Sequence, residues 1–280
     1  MTSDAAMMNE GIAVARDYYD SAEADGFYSN IWGGEDIHIG LYDTTDDIQR
    51  ASRLTVERII GKLGPLAGKR VIDLGAGYGG AARVLAAEHG AHVTCLNLSE
   101  VENERNRALT RAAGLSERVD VVDGSFDKMS FEDESFDIAW SQDAILHAPD
   151  RGEVLDEVAR VLKPGGLFAF TDPMQADGIE DASVLQPIYD RIHLPGLASI
   201  GFYRDALSRR GFEEIEVEEL TCQMGRHYAR VREVMLERQD ELGLDDAFVE
   251  RMSAGLGHWV EGAASGNLSW AIMIFRKGGE

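Results

Sequence analysis

The chain has 280 residues, 44% of them hydrophobic, and sets 50 acidic against 27 basic side chains for a formal charge of -23. That is enough apolar material for one sizeable core with an elaboration, and it excludes collagen, disordered polymers and miniature disulfide scaffolds. The charge repels phosphate backbones and anionic bilayers, so no nucleic acid and no membrane is expected as a partner, whereas a cationic small molecule is attracted. No apolar run reaches membrane-spanning length, and residues 1–10 hold neither a basic stretch nor an apolar h-region, so a soluble, cytoplasmic chain is expected. Only five of the basic residues are lysines, a pattern that suits a salt-rich cytoplasm and equally an ordinary acidic enzyme. Cys95 and Cys222, with no CxxC pair or His cluster, read as core thiols and imply neither a disulfide nor a metal site.

From Lys69 onward, short β-type runs alternate with helical stretches: RVIDL, a helix over about 79–89, AHVTCLNL, a helix over about 101–113, RVDVVDG, FDIAWSQ, a helix near 152–162, then GLFAFTD. This alternation predicts an α/β fold with a parallel sheet wrapped by helices. Lys163-Pro164-Gly165-Gly166 stops one helix and turns the chain into the next strand. Two late β-type runs, Phe212 to Leu220 and Leu268 to Lys277, complete about seven strands. Residues 1–65 are read as an N-terminal helical cap over the active site. Residues 66–280 are read as the cofactor-binding core, with lid insertions at about 173–202 and 221–267.

The chemistry is announced by VIDLGAGYGG, an apolar strand running into a glycine turn that opens a helix. Gly75 and Gly77 permit a tight turn and close approach of backbone to a ligand. With Gly80 they also satisfy the dinucleotide pattern of nicotinamide-dependent oxidoreductases. Asp73 separates the two readings, because a carboxylate just before the turn repels a diphosphate and holds an ammonium group. S-adenosylmethionine (AdoMet), with a sulfonium and an α-amino group, fits. Asn97 ends the second strand, followed by Leu98, and an amide there hydrogen-bonds ribose hydroxyls. The third strand runs into Asp123-Gly124-Ser125-Phe126, where an Asp accepts from the adenine amine and Phe126 packs on the ring.

With LKPGG before the fifth strand, these features resemble a class I AdoMet-dependent methyltransferase. The resemblance implies a three-layer Rossmann-like sandwich whose seven-stranded sheet has an antiparallel last strand. The family usually carries Asp or Glu where Asn97 stands, so weaker ribose binding is expected. The fourth strand ends in Ser141-Gln142-Asp143-Ala144-Ile145-Leu146-His147, similar to the DAxxH pattern of phosphoethanolamine methyltransferases; that likeness implies a catalytic His147 paired with Tyr28, and Gln142 joins the cofactor set. The whole-chain pattern FYSNIWGGEDIHIGLY, SQDAILHAPD, TDPMQADGI, QPIYDRIHLP, GFYR and HWVEGAASGNLSW resembles the sarcosine/dimethylglycine N-methyltransferases. It implies methylation of sarcosine and dimethylglycine to glycine betaine, with S-adenosylhomocysteine as the other product and no metal.

The aromatic N-terminal segment supplies walls for a cationic acceptor: Tyr19, Trp32 and His38 are the candidates, with Tyr18, Phe27 and Tyr42 around them. Pro173 and Met174 follow the fifth strand and are expected beside the methyl groups. In GFYR, Tyr203 and Arg204 are assigned to the acceptor, with the Arg204 guanidinium as first choice for its carboxylate and Arg226 and His227 in reserve. Alternatives are another small acceptor, such as a phosphoethanolamine-type amine or a prenyl-type carbon, and a non-enzymatic AdoMet-binding scaffold. A monomer or small homo-oligomer is expected.

Overall fold

The computed structural model describes residues 27–179, 181–192, 194 and 196–279; the side chains of Tyr28, Ser29 and Ile192 lie outside that description. Seven strands form one sheet in the order β3-β2-β1-β4-β5-β7-β6. They are β1 (Arg70–Leu74), β2 (His92–Asn97), β3 (Val119–Asp123), β4 (Phe136–Gln142), β5 (Leu162–Gln175), β6 (Phe212–Glu219) and β7 (Leu268–Lys277). β7 runs antiparallel to both its neighbours and the rest pair in parallel, as the sequence pattern and the resemblance together anticipate.

Most of the long helices begin where a side-chain cap satisfies a first free amide. Helix α1 (Ile48–Leu63) starts with the Asp47 carboxylate accepting from Arg50 N, and its Ile48, Ala51, Ser52, Thr55, Val56, Ile59, Ile60 and Leu63 face inward at helical spacing. Helix α2 (Gly80–His89) follows the glycine turn, and α3 (Glu100–Ala112) is capped by Ser99. α3 departs from the usual pattern, because the residues it buries are Glu102, Asn103, Asn106 and Thr110. Helix α4 (Arg151–Val161) packs beneath β5, and α5 (Gln186–Ile192) and α6 (Ile200–Arg209) lie between β5 and β6. Two long helices, α7 (Thr221–Glu237) and α8 (Asp246–Ala264), separate β6 from β7 and pack on each other.

β5 differs from the expected GLFAFTD. Its pairing to β4 jumps from Phe136↔Leu162 to Ile138↔Leu167, so Lys163-Pro164-Gly165-Gly166 forms an excursion inside one long strand, with Gly165 at φ 76°. The strand also continues through Pro173 and Met174 to Gln175, because the antiparallel partner β7 is long enough to pair with it as far as Gln175↔Leu268. Cys95 is buried as expected, but Cys222 is exposed on the first turn of α7.

Three apolar clusters result. Two fill the faces of the sheet, around Phe168, Phe170 and Tyr203 on one and Val71, Leu85 and Trp140 on the other. The third lies in the cap and joins Phe27, Ile31 and Trp32 to α5, α7, α8 and Trp270. Among the described residues, no helix is long and apolar enough to cross a membrane.

Candidate active site

The order of strands reverses direction between β1 and β4, and in such sheets the crevice at the carboxyl ends of the strands receives ligands. A cleft of about 1010 Å³, open mouth included, lies there. From β1 it takes Asp73, which is 4% exposed, and the turn beyond it. Gly75 N and Ala76 N both donate to Leu96 O, folding that turn against β2. Gly77 sits at φ 51°, where a Cβ would also come within 2.9 Å of Ile37 Cδ1; at Gly80 a Cβ would overlap the Asp36 carboxylate. The glycine turn therefore makes room for a strap, residues 35–42, as well as for a ligand.

The end of β2 explains why α3 turns polar groups inward. Asn97 Nδ2 donates to Glu102 Oε2 at 2.8 Å, and Asn103 Nδ2 donates to Asn97 O and to Asp123 Oδ1. Both Asn97 and Glu102 line the cleft. A carboxylate missing from the end of β2 thus reaches the same wall from the first turn of α3. The signal was present in the sequence as Ser99 followed three residues later by Glu102, which reads as a capping box and so as local structure. Asp123 stands differently from its expected place: it pairs with Arg107 Nη2 at 2.7 Å and is not among the lining residues, whereas Leu98, Gly124, Ser125 and Phe126 are. Burial works against its charge, but the Arg107 pair and the Asn103 amide hold its carboxyl below the usual range.

At the end of β4, Trp140 Nε1 donates to Gln142 Oε1 at 3.1 Å, which fixes the amide so that Nε2 is the remaining group. That Nε2 is buried and makes no hydrogen bond, although Gln142 lines the cleft. Asp143 has φ 53°, unusual for a residue other than glycine. Its carboxylate accepts from Ile39 N (2.7 Å), Thr171 Oγ1 (2.7 Å) and Trp270 Nε1 (2.8 Å), tying strap, β5 and β7 together. Such over-determination is what keeps a strained backbone in place. The sequence reading passed over Asp143, as it did Glu35 and Asp36, although the DAxxH pattern contains it.

His147 closes a short 3₁₀ turn, Ile145–His147, and lines the cleft beside Pro149. Burial, and then Arg151, push its pKa down to about 4, so the ring is neutral at pH 7. Asp172, fully buried, accepts from Leu146 N and from Tyr203 OH, and Arg151 Nη2 donates to Leu146 O and Gly196 O, so the turn bearing His147 is anchored from behind. Burial raises Asp73 to about 7, with His38 opposing.

The proposed acceptor residues are not assembled as expected. His38 lines the cleft, but Trp32 packs edge-on against His227 and Tyr228 inside the cap. Pro173 and Met174 are strand residues paired with Trp270 and Ser269, away from the lining. Tyr203 spends its hydroxyl on Asp172, and Arg204 lies half-exposed in a bidentate pair with Glu214. Arg226 donates to Tyr42 O, and His227 is fully buried, its Nδ1 facing Gly40 N and Tyr42 OH. Tyr19 and the Tyr28 side chain lie outside the described residues. Among the described residues, no group of three or more His, Cys, Asp or Glu side chains could hold a metal ion.

A methyltransferase domain model matches residues 72–170, the part of the chain that builds this cleft. A sarcosine/dimethylglycine N-methyltransferase of Halorhodospira halochloris is 50% identical over 96% of this chain and 98% of its own length. The chain belongs to the sarcosine/dimethylglycine N-methyltransferase family. Another relative, a glycine/sarcosine/dimethylglycine N-methyltransferase of Actinopolyspora halophila, is also 50% identical over 96% of the chain, which spans only 48% of that protein's length. Among solved structures, a protein of Galdieria sulphuraria provisionally named a sarcosine dimethylglycine methyltransferase superposes with a TM-score of 0.87 at 42% identity, covering 91% of this chain and 98% of that one. Family membership sets aside the nicotinamide reading of Gly75, Gly77 and Gly80 and makes the chain an enzyme of methyl transfer.

Proposed function

We propose that this chain transfers a methyl group from AdoMet to the nitrogen of sarcosine and dimethylglycine, ending in glycine betaine. The observation that carries the proposal is the charge of the cleft. Glu35, Asp36, Asp73, Glu102 and Asp143 line it, with no lysine or arginine among its described lining residues. Such a wall suits a sulfonium and an ammonium and opposes a diphosphate or a phosphobase. The donor set also fits AdoMet in detail: Asp73 stands at the turn for the α-amino group, Asn97 and Glu102 for the ribose hydroxyls, Ser125 and Phe126 for adenine, and the unpartnered Gln142 amide for a further acceptor atom.

When bound, AdoMet supplies an electrophilic methyl group on a cationic sulfur. The chain's own task is alignment, since one positive charge moves from sulfur to nitrogen and none is created. The acceptor must shed its ammonium proton first. His147, neutral and anchored through Leu146 and Asp172, with Tyr28 as its partner, is assigned to receive or relay that proton. Residues 1–65, with the segments at about 173–202 and 221–267, are assigned the role of a cap and lid over the active site, and no metal is assigned a part. A soluble cytoplasmic enzyme acting alone or as a small homo-oligomer is the accompanying reading.

Titration calorimetry with AdoMet and NAD tests the cofactor; heat with NAD alone overturns the assignment. Mass spectrometry after incubation with AdoMet and glycine, sarcosine, dimethylglycine or phosphoethanolamine tests the acceptor. Gains on sarcosine and dimethylglycine, little on glycine and none on phosphoethanolamine are expected.

A further inference from the structure

Both molecules assigned to the cleft carry a carboxylate, one on the amino-acid tail of AdoMet and one on the acceptor. The cleft offers those anions five acidic side chains, of which Asp73 is raised toward neutrality by burial and Glu35 is paired with Arg83 behind the wall, and, among its described lining residues, no lysine or arginine. Arg204, the expected donor, is occupied by Glu214 on the surface. Two histidines line the cleft. His147 is neutral, because burial and Arg151 both disfavour its charge.

His38 is placed differently. Its Nδ1 lies 3.2 Å from Ile39 O, and its Nε2 lies 3.7 Å from Asp36 Oδ1, beyond hydrogen-bond length and with no other partner. Both ring nitrogens face oxygens that only accept, an arrangement met by the doubly protonated ring. Asp36 on its own strap, Asp73 of β1 and Asp143 after β4 all favour the charge, and together they prevail over burial. His227 of α7 also faces it; burial, and then His38, push the His227 pKa down to about 3, and its Nδ1 accepts from Gly40 N. The strap holds His38 in place, with Ser52 Oγ donating to its carbonyl and Ile39 N donating to Asp143. The result is a ring held in place with one unmade hydrogen bond, and with its charged form favoured by the carboxylates around it, in an otherwise acidic cleft.

We propose that the His38 imidazolium receives a ligand carboxylate in this cleft, which rests on the donor and acceptor assignment above. The test compares AdoMet with decarboxylated AdoMet by titration calorimetry. It also compares dimethylglycine with N,N-dimethylethylamine in the presence of S-adenosylhomocysteine, in the wild-type protein and in His38→Gln and His38→Asn. For one of the two pairs, the wild-type protein should prefer the carboxylate-bearing member by about ten- to a hundredfold, and both variants should lose that preference. Loss within the AdoMet pair makes the donor the source, and loss within the dimethylglycine pair makes it the acceptor. Variants that keep both preferences overturn the role of His38 while leaving the methyltransferase assignment standing. A wild-type protein that binds no AdoMet removes both together. Should neither variant fold by circular dichroism, nitrogen-labelled histidine spectra of the wild-type protein decide. The imidazole that stays doubly protonated to the highest pH should respond to one carboxylate-bearing ligand and not to its carboxylate-free counterpart; silence toward all four overturns the proposal.

Discussion

The ends of β1, β2 and β4 carry ionisable and amide side chains on strands that have a neighbour on each side, whereas the cap buries mainly rings and alkyl groups from Phe27, Trp32, α5, α7 and α8. The two regions are built by different means. Strand ends fix polar groups before the ligand arrives, so little reorganisation is needed on binding. The cap is held together by buried apolar surface, whose attraction is non-directional. Asp143 joins them, since its three hydrogen bonds reach the strap, β5 and β7 from the end of β4.

Breaking that joint should have the largest effect. Asp143→Ala leaves Ile39 N, Thr171 Oγ1 and Trp270 Nε1 without their acceptor and should lower stability by about 3 kcal/mol, with activity lost, in thermal melts and methyl-transfer assays. Asp143→Gly suffers the same loss but relieves the φ of 53°, so it should recover about 1 kcal/mol relative to alanine. Next comes the anchored turn: His147→Ala should reduce kcat by about a hundredfold with a smaller change in the AdoMet Kd, and an unchanged kcat removes His147 from the chemistry.

On the cofactor side, Asp73→Asn should weaken AdoMet by about 1.5 to 3 kcal/mol in calorimetry. The same residue predicts a pH dependence. With its carboxyl raised to about 7 by burial, the folded ligand-free protein binds more protons than the unfolded chain between the ordinary carboxylate range and that value. The contribution of Asp73 to stability therefore falls as pH rises through this window. The Tm of the ligand-free wild type relative to Asp73→Asn should fall with it, and AdoMet should reverse the trend. The smallest effect belongs to the surface: Arg204→Ala should change stability by less than about 0.5 kcal/mol and leave the acceptor KM unaltered, because the Arg204–Glu214 pair is half-exposed and remote from the cleft.

Alternating β and helical runs, the glycine turn and Asp73 made the sheet and the cofactor end of the cleft legible in the sequence, because each depends on residues adjacent in the chain. RVIDL is β1 and LSWAIMIFRK is β7, and Asp73, Gly75, Asn97 and Phe126 all meet at the cleft. The acceptor side was not legible in the same way. GFYR looked like a substrate motif, yet helical geometry turns Tyr203 onto Asp172 and Arg204 toward Glu214 on β6. Glu102 carries no signal in the sequence beyond its place in the first turn of a helix, yet α3 aims it at the strand end beside Asn97.

What the chain order alone determined was the type of layer, the place of the phosphate-free glycine turn and the sign of the charge around it, since these follow from periodicity, backbone freedom and composition. Only the tertiary structure decided which polar groups share the cleft. Asp36 and His38, Glu102, and Asp143 come from three separate stretches, and whether each meets a ligand, a neighbour or solvent depends on distances that folding sets and that spacing along the chain does not encode.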